Sequence, residues 1–575
     1  MRLITRVVRR HHSNPEYEEG ASTAIAPRGT KIAVALVTTL VASQARAESA
    51  SSTDAEIAAL KKQLHLLEEK LDRLQKQTTA NAVPAPKASA KVDAKASVVD
   101  PNATVPVKAP IAPTGAIVTM PNNRPTICTA DEQNCISITS RLHFDAGGYN
   151  YSPNTTDTKP QRLDDGVNAR RARIGVLGKF LGDWDYALIY DFGGSSDGFA
   201  STASANGTAV GFLPGGGLSG LLNAYLGYNG IRPFGGQLAI EGGYMKVLYT
   251  LDEATSSNDI LFLERASSQV IAADIAAGNG RSAFGARWYN EVFWAGAYAT
   301  GPKAGDIHSA SSTNPDGSTE QFGATARAAG QVVSGNGYSL HLGADAEFLI
   351  RPPHNLVDNS FDLTLSDRPE LRIDPTNIID TGSITGVSGA QVYSAEAAAT
   401  YGPFFFQGEY FWYNVARNNL PGLPNLKFQG GYAQASLVLT GETHPYLPAT
   451  AAYGGIIPAN PFSLWGGGWG AWEIAGRIST INLNDQLGTT NGVAGGQQTI
   501  YTAGLNWYVN TNVRFMFDYL HGNIAKQISP TNSGDAGARF DAFAMRTQVA
   551  FWEREQPPRA RLPKSRLPIS SVRWG

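Results

Sequence analysis

Arg170–Phe192 reads RRARIGVLGKFLGDWDYALIYDF, and its period decides the fold. In the first half Ile174, Val176, Gly178 and Phe180 share one parity, and Arg171, Arg173 and Lys179 share the other. Leu181-Gly182-Asp183 is a tight turn. Beyond it Trp184, Tyr186, Leu188, Tyr190 and Phe192 alternate with Asp185, Ala187, Ile189 and Asp191. Alternation over about ten residues on each side of a short turn predicts a β-hairpin with one apolar face. Aromatic residues edge that face, as they do where strands meet a bilayer interface.

The pattern recurs along the chain. Ile136, Ile138, Leu142 and Phe144 oppose Thr139, Arg141, His143 and Asp145. Further strands are predicted near 221–230, 237–246, 281–289, 291–301, 321–333, 338–350, 391–401, 404–415, 428–439, 469–483, 498–509, 512–522 and 539–551. With the first three they number sixteen. Short turns such as Ser334-Gly335-Asn336-Gly337, Gly402-Pro403 and Asn510-Thr511 alternate with long polar connections such as 193–220, 247–280 and 351–390. An even strand count with turns at one end and loops at the other predicts an all-β, 16-stranded antiparallel transmembrane barrel over 136–551. Closure is required because lipid offers no partner to an open strand edge. A large soluble all-β protein would alternate too, but needs neither an export signal nor aromatic strand ends.

Composition agrees. The chain has 575 residues, of which 17% are charged and 42% hydrophobic, with a mean hydropathy of -0.20. With no apolar run near 20 residues, a polytopic helical membrane protein is excluded. In Lys31–Ala47 a basic residue precedes an apolar stretch from Ile32 to Ala42, and Ala45-Arg46-Ala47 supplies a cleavage site. Residues 1–47 therefore read as a secretory signal with an over-long leading region, as an upstream start codon would give.

Within 48–80, Ile57, Leu60, Leu64, Leu67, Leu71 and Leu74 keep a heptad spacing that predicts a short periplasmic coiled coil. Residues 81–135 form an Ala/Pro-rich linker ending in a Cys128–Cys135 loop. In an exported chain these two cysteines suit a disulfide better than a zinc site, which needs more ligands.

The net charge of -2 averages unlike parts: residues 101–551 hold 26 basic and 36 acidic side chains. Any anion preference must then come from local clusters. By parity Arg141, Arg171, Arg173, Lys179, Arg287, Arg477, Arg514 and Arg546 point into the lumen. Arginine suits phosphate through its fork geometry. The competing role is structural, pairing with lumen carboxylates such as Asp145, Asp185, Asp191, Glu473 and Asp518. G-x-S-x-G, H-E-x-x-H and Walker A patterns do not occur. The reading is therefore not an enzyme, with no cofactor, no metal and no nucleic-acid partner.

Several stretches, in order, resemble the phosphate-selective porin O/P family of outer-membrane porins. They are Asn168-Ala-Arg-Arg-Ala-Arg-Ile-Gly with Asp183-Trp-Asp-Tyr, Gly243-Tyr-Met-Lys to Leu251-Asp-Glu-Ala-Thr-Ser-Ser-Asn, and Phe262-Leu-Glu-Arg265. Gly431-Tyr-Ala-Gln, Leu439-Thr-Gly-Glu442, Gly468-Trp-Gly-Ala-Trp-Glu-Ile-Ala-Gly-Arg477, Gly504-Leu-Asn-Trp-Tyr508 and Arg546-Thr-Gln-Val-Ala-Phe551 follow.

The resemblance covers 136–551 and implies a trimeric porin passing small hydrophilic solutes, among them anions such as phosphate or polyphosphate. It implies that 247–280 folds inward, making Arg265 and Arg281 constriction candidates. Partners implied are outer-membrane lipid, two further copies in a homotrimer, the barrel insertion machinery and small anionic solutes. The alternative is a structural envelope protein, with the barrel as anchor and the coiled coil as spacer. Phe551 suits the family's terminal aromatic. The basic segment 552–575 departs from the pattern and reads as an unstructured, read-through end.

Overall fold

The computed structural model describes residues 115–154, 162–193, 220–304, 318–355 and 360–551. The export signal, the heptad seam, the linker up to residue 114 and the basic tail lie outside the described residues. Sixteen strands close into one antiparallel barrel. They are β1 Cys135–Pro153, β2 Gly166–Phe180, β3 Trp184–Asp191, β4 Leu221–Ile231, β5 Gln237–Met245, β6 Arg281–Tyr289, β7 Phe293–Lys303 and β8 Phe322–Gly335. The circle continues with β9 Tyr338–Arg351, β10 Gly389–Tyr401, β11 Phe404–Ala416, β12 Leu426–Val438, β13 Ala471–Asp485, β14 Val493–Tyr508, β15 Val513–Ala525 and β16 Ala538–Phe551. Each pairs with the next, and β16 returns to β1 from Phe551 opposite Ser140 to Ala538 opposite Pro153. Every strand expected from the period is present, with ends shifted by a few residues; β1 runs furthest beyond expectation, to Pro153.

One stretch read as linker is wall instead. Ala116–Thr119 pairs with Thr126–Thr129, which pairs in turn with the start of β1 through Thr126 opposite Ser137 and Cys128 opposite Cys135. A disulfide joins Cys128 to Cys135. The physical reason lies in the register. β16 ends opposite Ser140, so the first residues of β1 would have an open edge, and the hairpin covers it.

Burial is inverted relative to a soluble protein. On β1, Ile138 is 51% exposed, while His143 on the opposite parity is 0% exposed. The apolar face is the one offered to lipid, and the polar face is buried because inward-folded segments fill the barrel.

The connection 246–280 carries two helices, α1 Leu251–Ala254 and α2 Ser267–Ala276. Its Val247, Leu263, Ile271 and Ile275 join Leu365, Leu371 and Ile379 of a second inward segment. Both pack on Phe411, Phe428 and Ile481 of the wall. Two wall glycines permit this approach: a Cβ on Gly323 would lie 2.8 Å from Ala276 Cβ, and one on Gly504 would lie 3.1 Å from the Phe262 ring.

A third segment, 439–470, also folds inward. It leaves β12 at the same end as the short turn 402–403, yet is long. Its Ala452 and Tyr453 reach Leu251, Phe262 and Phe405 in the interior.

The lipid-facing assignment has a direct consequence. Ile174→Arg, halfway along β2, is expected to destabilise the folded barrel by roughly 2–4 kcal/mol in urea unfolding from vesicles. A cost near zero would show that this face does not meet hydrocarbon.

Candidate functional site in the lumen

A chain segment folded inside a barrel brings backbone groups that need partners. The wall supplies them to 246–280. Arg514 Nη1 donates to the carbonyls of Asn258 at 3.2 Å and Ile260 at 2.9 Å. Asn506 Nδ2 donates to Leu261 O at 3.0 Å, and Arg546 Nη1 to Leu263 O at 2.5 Å. Arg477 Nη1 donates to Glu264 O at 2.8 Å and stacks over Phe262 at 4.6 Å. Asp518 Oδ2 accepts from Leu263 N–H at 2.8 Å. Arg141 meets the Ser257 hydroxyl at 2.5 Å.

Other arginines serve the same purpose elsewhere. Arg281, fully buried below α2, donates to the last-turn carbonyls of Asp274 at 3.0 Å and Ala277 at 2.7 Å. On the segment 439–470, Ala449 O accepts from Arg287 at 2.7 Å. Thr450 O and Ala451 O accept from Arg327 at 2.7 and 2.8 Å. Each of these arginines also holds a carboxylate: Arg287 takes Glu241 at 2.9 Å and Arg327 takes Glu396 at 3.0 Å.

A cavity of about 240 Å³ remains beside 246–280. Six basic side chains line it, Arg170, Arg171, Arg173, Arg265, Lys303 and Arg372, against the carboxylates Asp191, Glu253, Glu264 and Asp274. Arg173 holds Asp191 at 2.6 Å, Lys303 pairs with Asp274, and Arg265 lies 3.7 Å from Glu253. Arg170 forks onto Glu264 at 2.7 and 3.1 Å, with Arg171 at 3.8 Å and Arg546 at 2.9 Å from the same carboxylate. Burial alone would raise the Glu264 pKa, but Arg170, Arg171 and Arg546 outweigh it and hold the carboxyl well below its usual range. Glu264 is therefore ionised throughout the working pH range.

Of the residues expected from sequence, Arg171, Arg173 and Arg265 come together at this cavity. Arg141, Arg281, Arg287, Arg477, Arg514 and Arg546 are turned toward the inward segments. Lys179 stands opposite Asp185 in the β2–β3 ladder, close to the short turn.

Strict parity missed Arg170. A register shift against β1 between His143 and Asp145 puts an extra residue into β2, and this bulge lets Arg170 and Arg171 both reach Glu264. Consecutive arginines in an alternating strand are the available signal. Lys303 ends a strand and Arg372 sits in a loop, where periodicity has nothing to report.

Three carboxylates, Asp345, Glu396 and Glu409, also gather on β9–β11 with oxygens within 4.8 Å of one another. Each of the three already has a partner. Glu396 takes Arg327 and His341, Glu409 takes the N–H groups of Leu251 and Asp252, and Asp345 accepts from Ser394. That cluster fastens the α1 segment and suits a structural role better than a metal.

The straps define a stability test. Arg546 forks onto Asp145 at 2.6 and 2.7 Å with neither side chain exposed. Arg546→Met leaves buried carboxylates uncompensated and is expected to cost about 3–5 kcal/mol in urea unfolding. Adding Asp145→Asn should recover part of that loss; an unrelieved double variant would show the pair is not coupled.

The sequence profile of a family described as "Phosphate-selective porin O and P" matches residues 136–551. Porin O of Pseudomonas aeruginosa is 25% identical over 453 residues, which cover 74% of this chain and 90% of that protein. An uncharacterised protein of Caulobacter vibrioides is 27% identical over 523 residues, covering 89% of this chain and 92% of its own. Among solved structures, OmpT of Vibrio cholerae has a TM-score of 0.41 at 10% identity, covering 73% of this chain and 98% of that one. An anion-selective porin from Comamonas acidovorans scores 0.36 at 12% identity, covering 72% and 99%. With a closed sixteen-stranded barrel and the family profile running from its first strand to its last, the chain belongs to the phosphate-selective porin O and P family of outer-membrane porins.

Proposed function

We propose that this porin passes small anions, phosphate or polyphosphate among them, by passive diffusion past the arginine-lined cavity. The observation that carries the reading is the gathering of Arg170, Arg171, Arg173, Arg265, Lys303 and Arg372 around one polar cavity in the lumen. In a barrel region with net negative charge, such a cluster is where an anion can exchange hydration for guanidinium donors. The channel works as a homotrimer in the outer membrane, with the heptad segment Ile57–Leu74 joining three copies on the periplasmic side. The family's description as phosphate-selective and the three-heptad seam support this arrangement.

Bilayer recording tests it. A potassium chloride gradient should give a reversal potential of anionic sign, and added inorganic phosphate should reduce chloride current. Arg171→Ala should weaken that block about tenfold, the scale of one lost charge-assisted hydrogen bond. Cation preference would overturn the anion reading. A channel that carries no current would favour the structural envelope protein instead.

Lys246 adds a pH dependence. Its Nζ donates to Thr255 O at 3.0 Å and lies 3.9 Å from Glu253, one of the cavity carboxylates. Burial, partly offset by Glu253, lowers its pKa to about 7. The lysine is charged below that pH and neutral above it, so anion preference should fall as pH rises through neutrality. Lys246→Arg should remove the dependence; a wild-type selectivity flat across this range would show that Lys246 does not contribute.

A further inference from the structure

The segment 439–470 does not end in the lumen. Tyr453 packs on Phe405 inside the wall, and Ile456 is then fully buried with Val438, Ala471 and Tyr508 at the strand ends. Phe462 next meets Trp507 edge-on at 5.4 Å, and its N–H donates to Val509 O at 2.8 Å. Trp507 stands on the lipid side of β14, since its neighbours Asn506 and Tyr508 are the buried, lumen-facing pair. The chain has therefore passed beneath the rim of the barrel, from the inside to the outside.

Outside, residues 462–470 form an uncharged finger, FSLWGGGWG. Its backbone closes on itself. Gly470 N–H donates to Asn460 O at 3.0 Å, Ser463 N–H to Gly468 O at 3.0 Å, and Gly466 N–H to the Ser463 hydroxyl at 2.8 Å. Gly467, with a φ of 75°, turns the tip. The finger presents Leu464, Trp465 and Trp469 at 78, 95 and 72% exposure. Large apolar side chains gathered in this way are costly to leave in water.

The base of the finger shows what covers them. Trp472, Trp507 and Phe515 stack outward on neighbouring strands at 5.2 and 5.6 Å, an aromatic edge of the kind that marks a bilayer interface. Trp469 O accepts both indole N–H groups, from Trp472 at 3.2 Å and Trp507 at 2.9 Å. The finger is thus bonded to the interfacial belt and extends it beyond the strands. This end of the barrel carries the short turns, which face the periplasm.

We propose that Phe462–Trp469 is a lipid anchor that inserts Leu464 and Trp465 among the phospholipids of the periplasmic leaflet. With no charge to desolvate, and with the Ser463, Gly466 and Gly470 N–H groups bonded internally, the loop enters that boundary at low cost. Indole rings suit its mixed polarity. Arg287 and Arg327 hold Ala449–Ala451 inside, so a finger held in lipid outside makes 439–470 a clip around the rim of the wall. This role is independent of which ion the pore passes.

The test uses the full-length porin with Leu464→Cys, labelled with a polarity-sensitive thiol dye and reconstituted into phosphatidylcholine vesicles. Cys128 and Cys135 stay paired and unlabelled. Quenching by nitroxide lipids should place the dye roughly 5–10 Å below the headgroups, and aqueous iodide should barely quench it. Adding Trp465→Ser and Trp469→Ser to the labelled chain should move the dye outward and restore iodide quenching. If Leu464→Cys does not fold, Ser463→Cys carries the same label one residue away. A dye open to iodide and beyond the reach of lipid quenchers overturns the proposal. A dye shielded from both is covered by protein, such as a second copy of the chain, and overturns it equally.

Discussion

The interior of this barrel depends on arginine guanidinium groups meeting the backbone carbonyls of segments folded into the lumen. A strand wall satisfies its own backbone, but an irregular loop inside it does not. Arg477, Arg514 and Arg546 supply donors to four carbonyls of one segment, Asn258–Glu264, and Arg287 and Arg327 do so for Ala449–Ala451. Arginine suits the task because one fork can serve a carbonyl and a carboxylate at once. Arg546, which holds Leu263 O, Asp145 and Glu264, does both.

That demand explains why so many lumen arginines do not translate into a positively lined pore. Buried cations without partners would be costly, so the wall carries carboxylates to match. The excess of acidic residues over 101–551 reflects this pairing and says little about the sign of the permeating ion. A small region remains where charged side chains border open space.

The bulge in β2 shows how a local irregularity builds such a region. Regular alternation would send Arg170 and Arg171 to opposite faces of the wall. One extra residue opposite β1 turns both toward the same carboxylate. Here the departure from the strand period lies at the site, while the regular strands around it form the scaffold.

The sequence by itself determined the barrel. Period-two alternation, aromatic strand edges and alternating turn lengths follow from constraints that act on each strand separately, because lipid on one side and polar lumen on the other impose them locally. The same local character made the inward parity of Arg171 and Arg173 legible. What only the tertiary structure decided was which arginines face open space, which hold the inward segments, and that 439–470 enters from the short-turn end. It also decided that residues from Gly115 onward complete the wall beside β1. These are contacts between residues hundreds of positions apart, such as Arg546 with Leu263 or Arg287 with Ala449. No local period encodes them, since they are set by where closure of the barrel places one segment against another.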